Sequence, residues 1–385
     1  MTGLPRRELA FSMEEYQSRL TRLRQVMATK GMDVLLMGKP QNVYYLTGYR
    51  TMGVGVDLII VPLEGSLKHL SRYFEENTIR TLSWVEDIRT YQDNEDPFDA
   101  LENTLVEMHM TQSRIGVEMA SWSFPALTYE RIKARLPQAE FWDASNLVDH
   151  LRLVKSQKEL EYVRAAARIS DLGMEAAINA VHAGALEHEI MAAVLYALYQ
   201  NGHGDGIVPI ILMSGPNSAM AHAVHCGRKL EQGDPLVIEI PGICKFYTAN
   251  ILRTIFAGPP SKTLENMHDA VFKAHELAVS EIRPGIAAEH IDNLTHQVID
   301  EAGFGVHFQR RTGYTVGIFS TEGWWIEPLN IVKGETRTLE PGMVLAIEPG
   351  INAWGFGGVY VGNCLLVTED GCEYLTTPCT GMIVK

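Results

Sequence analysis

The sequence predicts an α+β protein in two parts. Up to about residue 150, helix-like and strand-like segments alternate, the pattern of an α/β domain. Beyond it, strands gather at 207–213, 235–243, 247–256, 312–318, 343–349 and 361–367, with the helices set apart from them. A third observation bears on function. PLVIEIPGICKFYTANILRTIFAG, from Pro235 to Gly258, reads as two antiparallel strands with one polar spot in each, Glu239 and Asn250. A buried carboxylate is costly unless it is paired, protonated or at work.

The elements follow in order. Ser12 and Glu15 form an S-x-x-E capping box, and Tyr16, Leu20, Leu23 and Met27 continue at helical spacing to a stop at Gly31. DVLLMG at 33–38 reads as a buried strand, LTGY as a turn, and DLIIVPL at 57–63 as a second strand. A helix at 97–109, the strand RIGVE at 114–118 and a helix near 126–135 complete a domain spanning 1–152. A second capping box, Ser156 to Glu159, opens a long helix with Leu160, Val163, Ala167 and Leu172 on one face. Helices at 187–201, 261–281 and 287–302 accompany the strands of a second domain, 153–385. Turn chemistry shared by HAGALEHE and the loop after Phe256 hints at an internal duplication.

Composition narrows the function classes. The chain has 385 residues, 46% hydrophobic and 21% charged, with 33 basic against 47 acidic side chains and a net charge of −14. Such a surface repels nucleic-acid phosphates and anionic lipid, so neither nucleic acid nor membrane is expected as a partner. No stretch approaches the ~18 apolar residues of a membrane span, and MTGLPRRELAFSMEEY lacks an apolar leader core. Five cysteines without a C-x-x-C pair suggest reduced thiols in a cytoplasmic protein.

Four polar spots mark the second part. SGPNSAMAHAVH places His222 and His225 after a strand, and Glu239 sits in the hairpin. RRTGYTVG puts Arg310 and Arg311 before Tyr314, and LEPGMVLAIEPG carries Glu348 at a strand end. Each has a plainer reading. His222 is a satisfied loop histidine, Glu239 a salt bridge to Arg253, and Glu348 a turn acceptor. Tyr314, Trp324 and Trp325 are then core, and the arginines a solvated pair.

Taken together, the spots match a known arrangement. SGPNSAMAH, GDPLVIEIPG, YTANILRT, TGYTVG, LEPGMVLAIEPG and LLVTEDGCEYLT resemble, in order and spacing, the pita-bread family of creatinase, prolidase, Xaa-Pro aminopeptidase and methionine aminopeptidase. The likeness extends to VYYLTGY and LRLVKSQKELEYVRAAARI. It implies a creatinase-like N-terminal domain followed by a pita-bread catalytic domain.

The departures matter more. The family's metallopeptidases hold two metals through two Asp, one His and two Glu. Those positions fall on Glu239, Asn250, Tyr314, Glu348 and Gly362 here. Asn, Tyr and Gly do not replace ionised oxygen or imidazole donors, so no metal and no cofactor is expected. His222 falls on the His shared with creatinase, the metal-free member. The resemblance therefore points to a metal-free branch, with Glu239 as nucleophile or general base, His222 as proton shuttle and Glu348 as a third catalytic group.

The substrate reading follows from charge. Two carboxylates with Tyr314, Trp324 and Trp325 favour a delocalised cation, and Arg310 or Arg311 favours a carboxylate. A small amidinium zwitterion fits both, with Asn250 as a further contact. The chain resembles the ectoine hydrolase branch of the family, which implies ring opening of a cyclic amidine to N-acetyl-2,4-diaminobutyrate. A creatinase acting on creatine, an Xaa-Pro peptidase and a non-catalytic binding protein are the rivals. The resemblance also implies a homodimer whose N-terminal domain closes the partner's pocket. LTGYRTMGVGVD (46–57) is expected at that edge, with Tyr49 and Arg50 as contacts.

Overall fold

Ser12 does cap the first helix. Its hydroxyl accepts from the Glu15 N–H at 3.4 Å, and Gly31 ends α1 (Met13–Lys30) in the left-handed conformation, φ 70°. The computed structural model describes residues 9–50, 55–203, 209–223 and 226–385. The chain divides into two units: Met1–Arg152 with Ser320–Trp324, and Leu153–Phe319 with Trp325–Lys385. The short segment Ser320–Trp324 thus groups with the first unit although it lies far along the chain.

In the first unit α1 is followed by β1 (Val34–Met37), α2 (Pro40–Thr47), β2 (Leu58–Pro62), β3 (Lys68–Arg72), α3 (Glu76–Leu82) and β4 (Asp87–Tyr91). Then come α4 (Pro97–Glu107), β5 (Arg114–Val117), α5 (Ala126–Arg135), β6 (Glu140–Asp143) and α6 (Leu147–Leu151). The six strands form one mixed sheet in the order β4-β3-β2-β1-β5-β6. Val34, Leu36, Ile60 and Ile115 of the sheet pack with Phe98, Leu101, Leu105 and Ile132 of α4 and α5.

The expected turn LTGY is instead the end of α2, which opens on Pro40 at its first position and stops at Gly48, φ 80°. Tyr49 is not an edge contact. It is 1% exposed and stands edge-on to His69, with ring centroids 4.9 Å apart, so it is core of its own unit. Residues 51–54 of that segment lie outside the described residues.

The second unit opens with α7 (Gln157–Ala180). Both halves of its capping box form: the Glu159 N–H donates to Ser156 Oγ at 3.3 Å, and the Ser156 N–H to Glu159 Oε2 at 2.8 Å. Next are α8 (Glu187–Gln200), β7 (Ile211–Ser214), β8 (Asp234–Cys244), β9 (Tyr247–Ala257), α9 (Lys262–Ser280) and α10 (Ala288–Glu301). The chain continues with β10 (Gly313–Ser320), β11 (Trp324–Ile331), β12 (Val344–Ile347), β13 (Gly350–Ala353), β14 (Gly357–Val367), β15 (Cys372–Tyr374) and β16 (Ile383–Val384). These strands make a ten-stranded sheet whose main path is β11-β10-β12-β14-β9-β8-β7. The expected strand 207–213 is β7, displaced toward its C-terminal end, and 207–208 lie outside the described residues.

The duplication is present, but its second copy is not the loop after Phe256. Gly184 N–H donates to Leu230 O at 2.8 Å, and Leu230 N–H returns to Ala185 O at 2.9 Å. Gly285 and Leu339 repeat this at 2.8 Å, with Leu339 returning to Ile286 at 2.9 Å. All five cysteines are free thiols. Among the described residues, no helix is long and apolar enough to cross a membrane.

Candidate active site

Strand alternation creates the site. Leu236, Ile238 and Ile240 of β8 point into the core shared with α7 and α8, so Glu239 between them must leave on the opposite face. β9 repeats this, with Ile251 in that core and Asn250 on Glu239's face. The register pairs Pro241 with Asn250 and Glu239 with Leu252, making Glu239 and Asn250 diagonal neighbours. On β12, Leu345 and Ile347 face the helices, and Glu348 follows on the other side. Tyr314 lies opposite Ala346 on the neighbouring strand.

These side chains form one hydrogen-bonded cluster. Asn250 Nδ2 donates to Glu239 Oε1 at 2.8 Å and to Glu348 Oε2 at 3.2 Å. Tyr314 OH donates toward the same two oxygens, at 3.5 Å and 3.2 Å respectively. Trp325 Nε1 donates to Tyr314 OH at 3.3 Å. Arg310 Nη2 is paired with Glu348 Oε1. Asn250 Oδ1 is buried and, among the described residues, receives no hydrogen bond.

The twin carboxylates differ electrically. Burial, and then the Glu348 carboxylate, push Glu239 up to about 8, against the Asn250 and Tyr314 hydrogen bonds and the Arg310 charge. Glu239 therefore carries a proton at neutral pH. Burial works against the Arg310 charge, but neighbouring Glu348 outweighs it and holds the guanidinium pKa up. Burial, reinforced by both carboxylates, keeps Tyr314 neutral, well above its ordinary pKa.

Comparison with known proteins places this arrangement. The profile of the creatinase/prolidase N-terminal domain matches residues 19–154, and that of metallopeptidase family M24 matches residues 161–369, more than half of the chain. The chain belongs to metallopeptidase family M24. An Xaa-Pro dipeptidase of Pyrococcus furiosus is 29% identical over 360 residues, 94% of this chain and 98% of that one. An ectoine hydrolase of Halomonas elongata is 30% identical over 390 residues, 95% of this chain and 96% of that one. The crystal structure of a dipeptidase from Pyrococcus horikoshii matches with a TM-score of 0.85 at 29% identity, covering 95% of this chain and all of the other. The protein is thus an M24 hydrolase with a creatinase-like N-terminal domain and a C-terminal pita-bread domain.

The M24 metal pair does not fit these residues. An amide nitrogen and a phenol, both donors here, fill the space between the carboxylates, and Arg310 already neutralises Glu348. A cation at that point would face N–H and O–H groups rather than lone pairs. At Gly362 a Cβ would stand 2.9 Å from both Glu348 Cβ and Leu252 Cβ, leaving no room for a fifth ligand without rearrangement. Among the described residues, no group of three or more His, Cys, Asp or Glu is placed to hold a metal ion.

The remaining sequence-predicted residues separate. Arg253 does not pair with Glu239, because it lies opposite Ile238 and shares that residue's face. Its guanidinium donates instead to the carbonyls of Leu252, Gly362 and Thr377 and to Asn363 Oδ1. Arg311 does not act with Arg310. It stacks on the Tyr314 ring at 4.4 Å and donates to Asn330 Oδ1. Of the adjacent tryptophans only Trp325 is buried and bonded to Tyr314, since successive strand residues alternate faces, and Trp324 groups with the first unit. His222 is exposed, at φ 57° on the turn after a short 3₁₀ segment. His225 lies outside the described residues. Tyr360 joins the site without having been expected there, and its ring lies 5.3 Å from the Arg310 guanidinium. The signal was available, because Tyr360 and Gly362 are two apart on one strand and share a face.

Proposed function

We propose that this M24 protein is a metal-independent hydrolase of a small cyclic amidine zwitterion, with ectoine as the substrate that fits best and N-acetyl-2,4-diaminobutyrate as the product. One observation carries the reading: a single amide nitrogen, Asn250 Nδ2, donates to the carboxylates of both Glu239 and Glu348. Both carboxylates thus offer lone pairs to N–H donors, the complement of an N–H-bearing cation bound beside Asn250. The relative named ectoine hydrolase supports the choice of substrate.

The chemistry needs no Lewis acid, because an amidinium carbon is already electrophilic. Glu239 holds a proton before substrate binds, and an arriving cation displaces that proton to solvent, since opposite charge favours the carboxylate. The ionised Glu239 takes a proton from water as the water oxygen bonds to the amidine carbon. Glu239 returns that proton to the departing nitrogen, the C–N bond breaks as the hydroxyl oxygen becomes the amide carbonyl, and the hydroxyl proton passes to the freed amine, which leaves as an ammonium. Glu348 balances the cation before attack, and His222 exchanges protons with solvent. The exposed part of Arg310 receives the substrate carboxylate. Tyr314, Trp325 and Asn250 line the amidine. The same reading has the chain act in the cytoplasm as a homodimer.

Chelator-treated protein incubated separately with ectoine, creatine and an Xaa-Pro dipeptide tests this, with products read by mass spectrometry. Ring-opened product without metal is expected. Turnover of the dipeptide alone, and only after Mn²⁺ is added, overturns the reading in favour of the activity named for the Pyrococcus relative.

A further inference from the structure

The segment that bears His222 is tied down at three places. At its ends the buried Glu187 carboxylate accepts from Ser214 N at 3.1 Å and Oγ at 2.7 Å, and from Cys226 N at 2.9 Å and Arg228 N at 3.0 Å. In the middle, the 3₁₀ turn Gly215–Ala219 rests on the start of β14, where Gly358 N–H donates to Ser218 Oγ at 2.7 Å. A Cβ on Gly358 would stand 2.0 Å from Ser218 O, so this approach requires glycine.

The third tie leads back to the carboxylates. Asn352 Nδ2 donates to Ala219 O at 2.9 Å, and Tyr360 OH donates to Asn352 Oδ1. The Tyr360 ring then faces the Arg310 guanidinium, which is paired with Glu348. Tyr360 is 3% exposed. Gly350, two residues after Glu348, makes room for its ring: a Cβ there would stand 2.0 Å from Tyr360 Cδ1. Tyr360 N–H also donates to Thr254 Oγ1 at 2.8 Å, and that hydroxyl donates back to Tyr360 O at 3.1 Å, which fixes the backbone. Each link between Glu348 and Ala219 is therefore a buried or half-buried side chain with a defined partner.

We propose that Tyr360 and Asn352 form a strut that seats the His222-bearing turn against the Arg310–Glu348 pair. They are positioning residues. Among the described residues neither is hydrogen-bonded to Glu239 or Glu348, and their effect passes through Arg310 at one end and Ala219 at the other. The proposal rests on the functional reading above for its catalytic consequence, but not for its structural one. A change in the Arg310–Glu348 pair, such as arrival of a substrate carboxylate at Arg310, is transmitted to Ala219, three residues before His222.

The test is hydrogen exchange, read by mass spectrometry on the peptide covering 214–223, for wild type, Tyr360→Phe, Asn352→Ala, the double variant and Arg310→Gln. Tyr360→Phe keeps the ring and removes one hydroxyl, so folding is preserved. Each single variant is expected to speed exchange of that peptide by about tenfold, the double variant by no more than either single, and α8 to be unchanged. Exchange of 214–223 unaltered by Tyr360→Phe and Asn352→Ala overturns the strut. In an enzyme that opens the amidine ring, Tyr360→Phe is also expected to lower kcat by about tenfold with KM within about twofold. Ring opening with unchanged exchange sinks the strut alone. Altered exchange in a protein that opens no amidine sinks the functional reading and leaves the strut standing.

Discussion

Glu239 and Glu348 end two copies of one ten-residue pattern, LEQGDPLVIE (230–239) and LEPGMVLAIE (339–348), and one Asn250 nitrogen donates to both. Each copy begins at the leucine that closes a glycine turn, and each carries a second glycine with positive φ, Gly233 at 83° and Gly342 at 89°. The duplicated backbone thus delivers two carboxylates to one point. Their surroundings then separate them. Arg310 pairs with Glu348, whereas among the described residues Glu239 accepts from the neutral Asn250 and Tyr314. A buried carboxyl pushed up beside a carboxylate that is paired with an arginine suits acid–base work.

That asymmetry fixes a pH dependence. Glu239 stands at about 8 in the fold against an ordinary 4.5, so its contribution to stability is fully present below pH 4.5 and is lost as the pH rises through 8. The slope reaches ~1.4 kcal/mol per pH unit for one proton, and the total is on the order of a few kcal/mol. Glu239→Gln removes this titration. Urea unfolding of both proteins at half-unit steps from pH 4.5 to 8.5 is expected to show the wild type losing stability relative to the variant across that window. Parallel curves would mean that Glu239 is ionised throughout.

The donor set sets a second expectation. Wild-type protein exchanged against Mn²⁺ and passed through gel filtration is expected to retain no stoichiometric metal. Asn250→Asp with Tyr314→His restores two of the family's ligand types, yet Arg310 still neutralises Glu348. Metal retention is therefore expected only when Arg310→Gln is added, at one ion per chain, because Gly362 still supplies no ligand. Elemental analysis of the three proteins decides it. One tightly held ion in the wild type would show that the amide and the phenol give way.

The site was more legible in the sequence than the fold around it. Glu239 and Asn250 stood out because each interrupts an apolar run, and a polar residue inside a strand is a strong signal whatever surrounds it. Arg310 and Arg311 could not be told apart, because only the turn into β10 decides which guanidinium reaches Glu348. Tyr49 was misplaced because a tyrosine beside a glycine turn reads as surface, and its burial against His69 depends on tertiary packing. The strands β3 (KHLSR), β4 (DIRTY) and β6 (EFWD) escaped notice for a related reason. They are short and rich in polar residues, and they owe their existence to neighbours in the sheet rather than to their own pattern.

A further expectation concerns the first unit, where Glu118 holds the start of α2. Its carboxylate accepts the Gly38 and Lys39 N–H groups, each at 2.8 Å, and Asn42 Nδ2 at 2.6 Å. Asn42 and Lys39 also reach Asp149, at 3.1 Å and 2.5 Å. Burial pushes Glu118 up to about 7 even though three donors favour its charge, with Asp149 adding repulsion. Glu118→Ala strands those donors and is expected to cost about 3 kcal/mol, the usual penalty for buried groups left unsatisfied. Glu118→Gln keeps an acceptor oxygen without the charge and is expected to cost about 1 kcal/mol near pH 7. The cost of the glutamine variant shrinks as the carboxyl ionises with rising pH. Glu118 is raised from 4.5, so its stabilising contribution is full below that value and falls as the pH rises through 7, whereas Gln does not titrate. Unfolding free energies of the three proteins at pH 5 and pH 8 separate the terms. A glutamine variant as damaged as the alanine variant at both pH values would show that the charge, rather than the acceptor geometry, holds α2 in place.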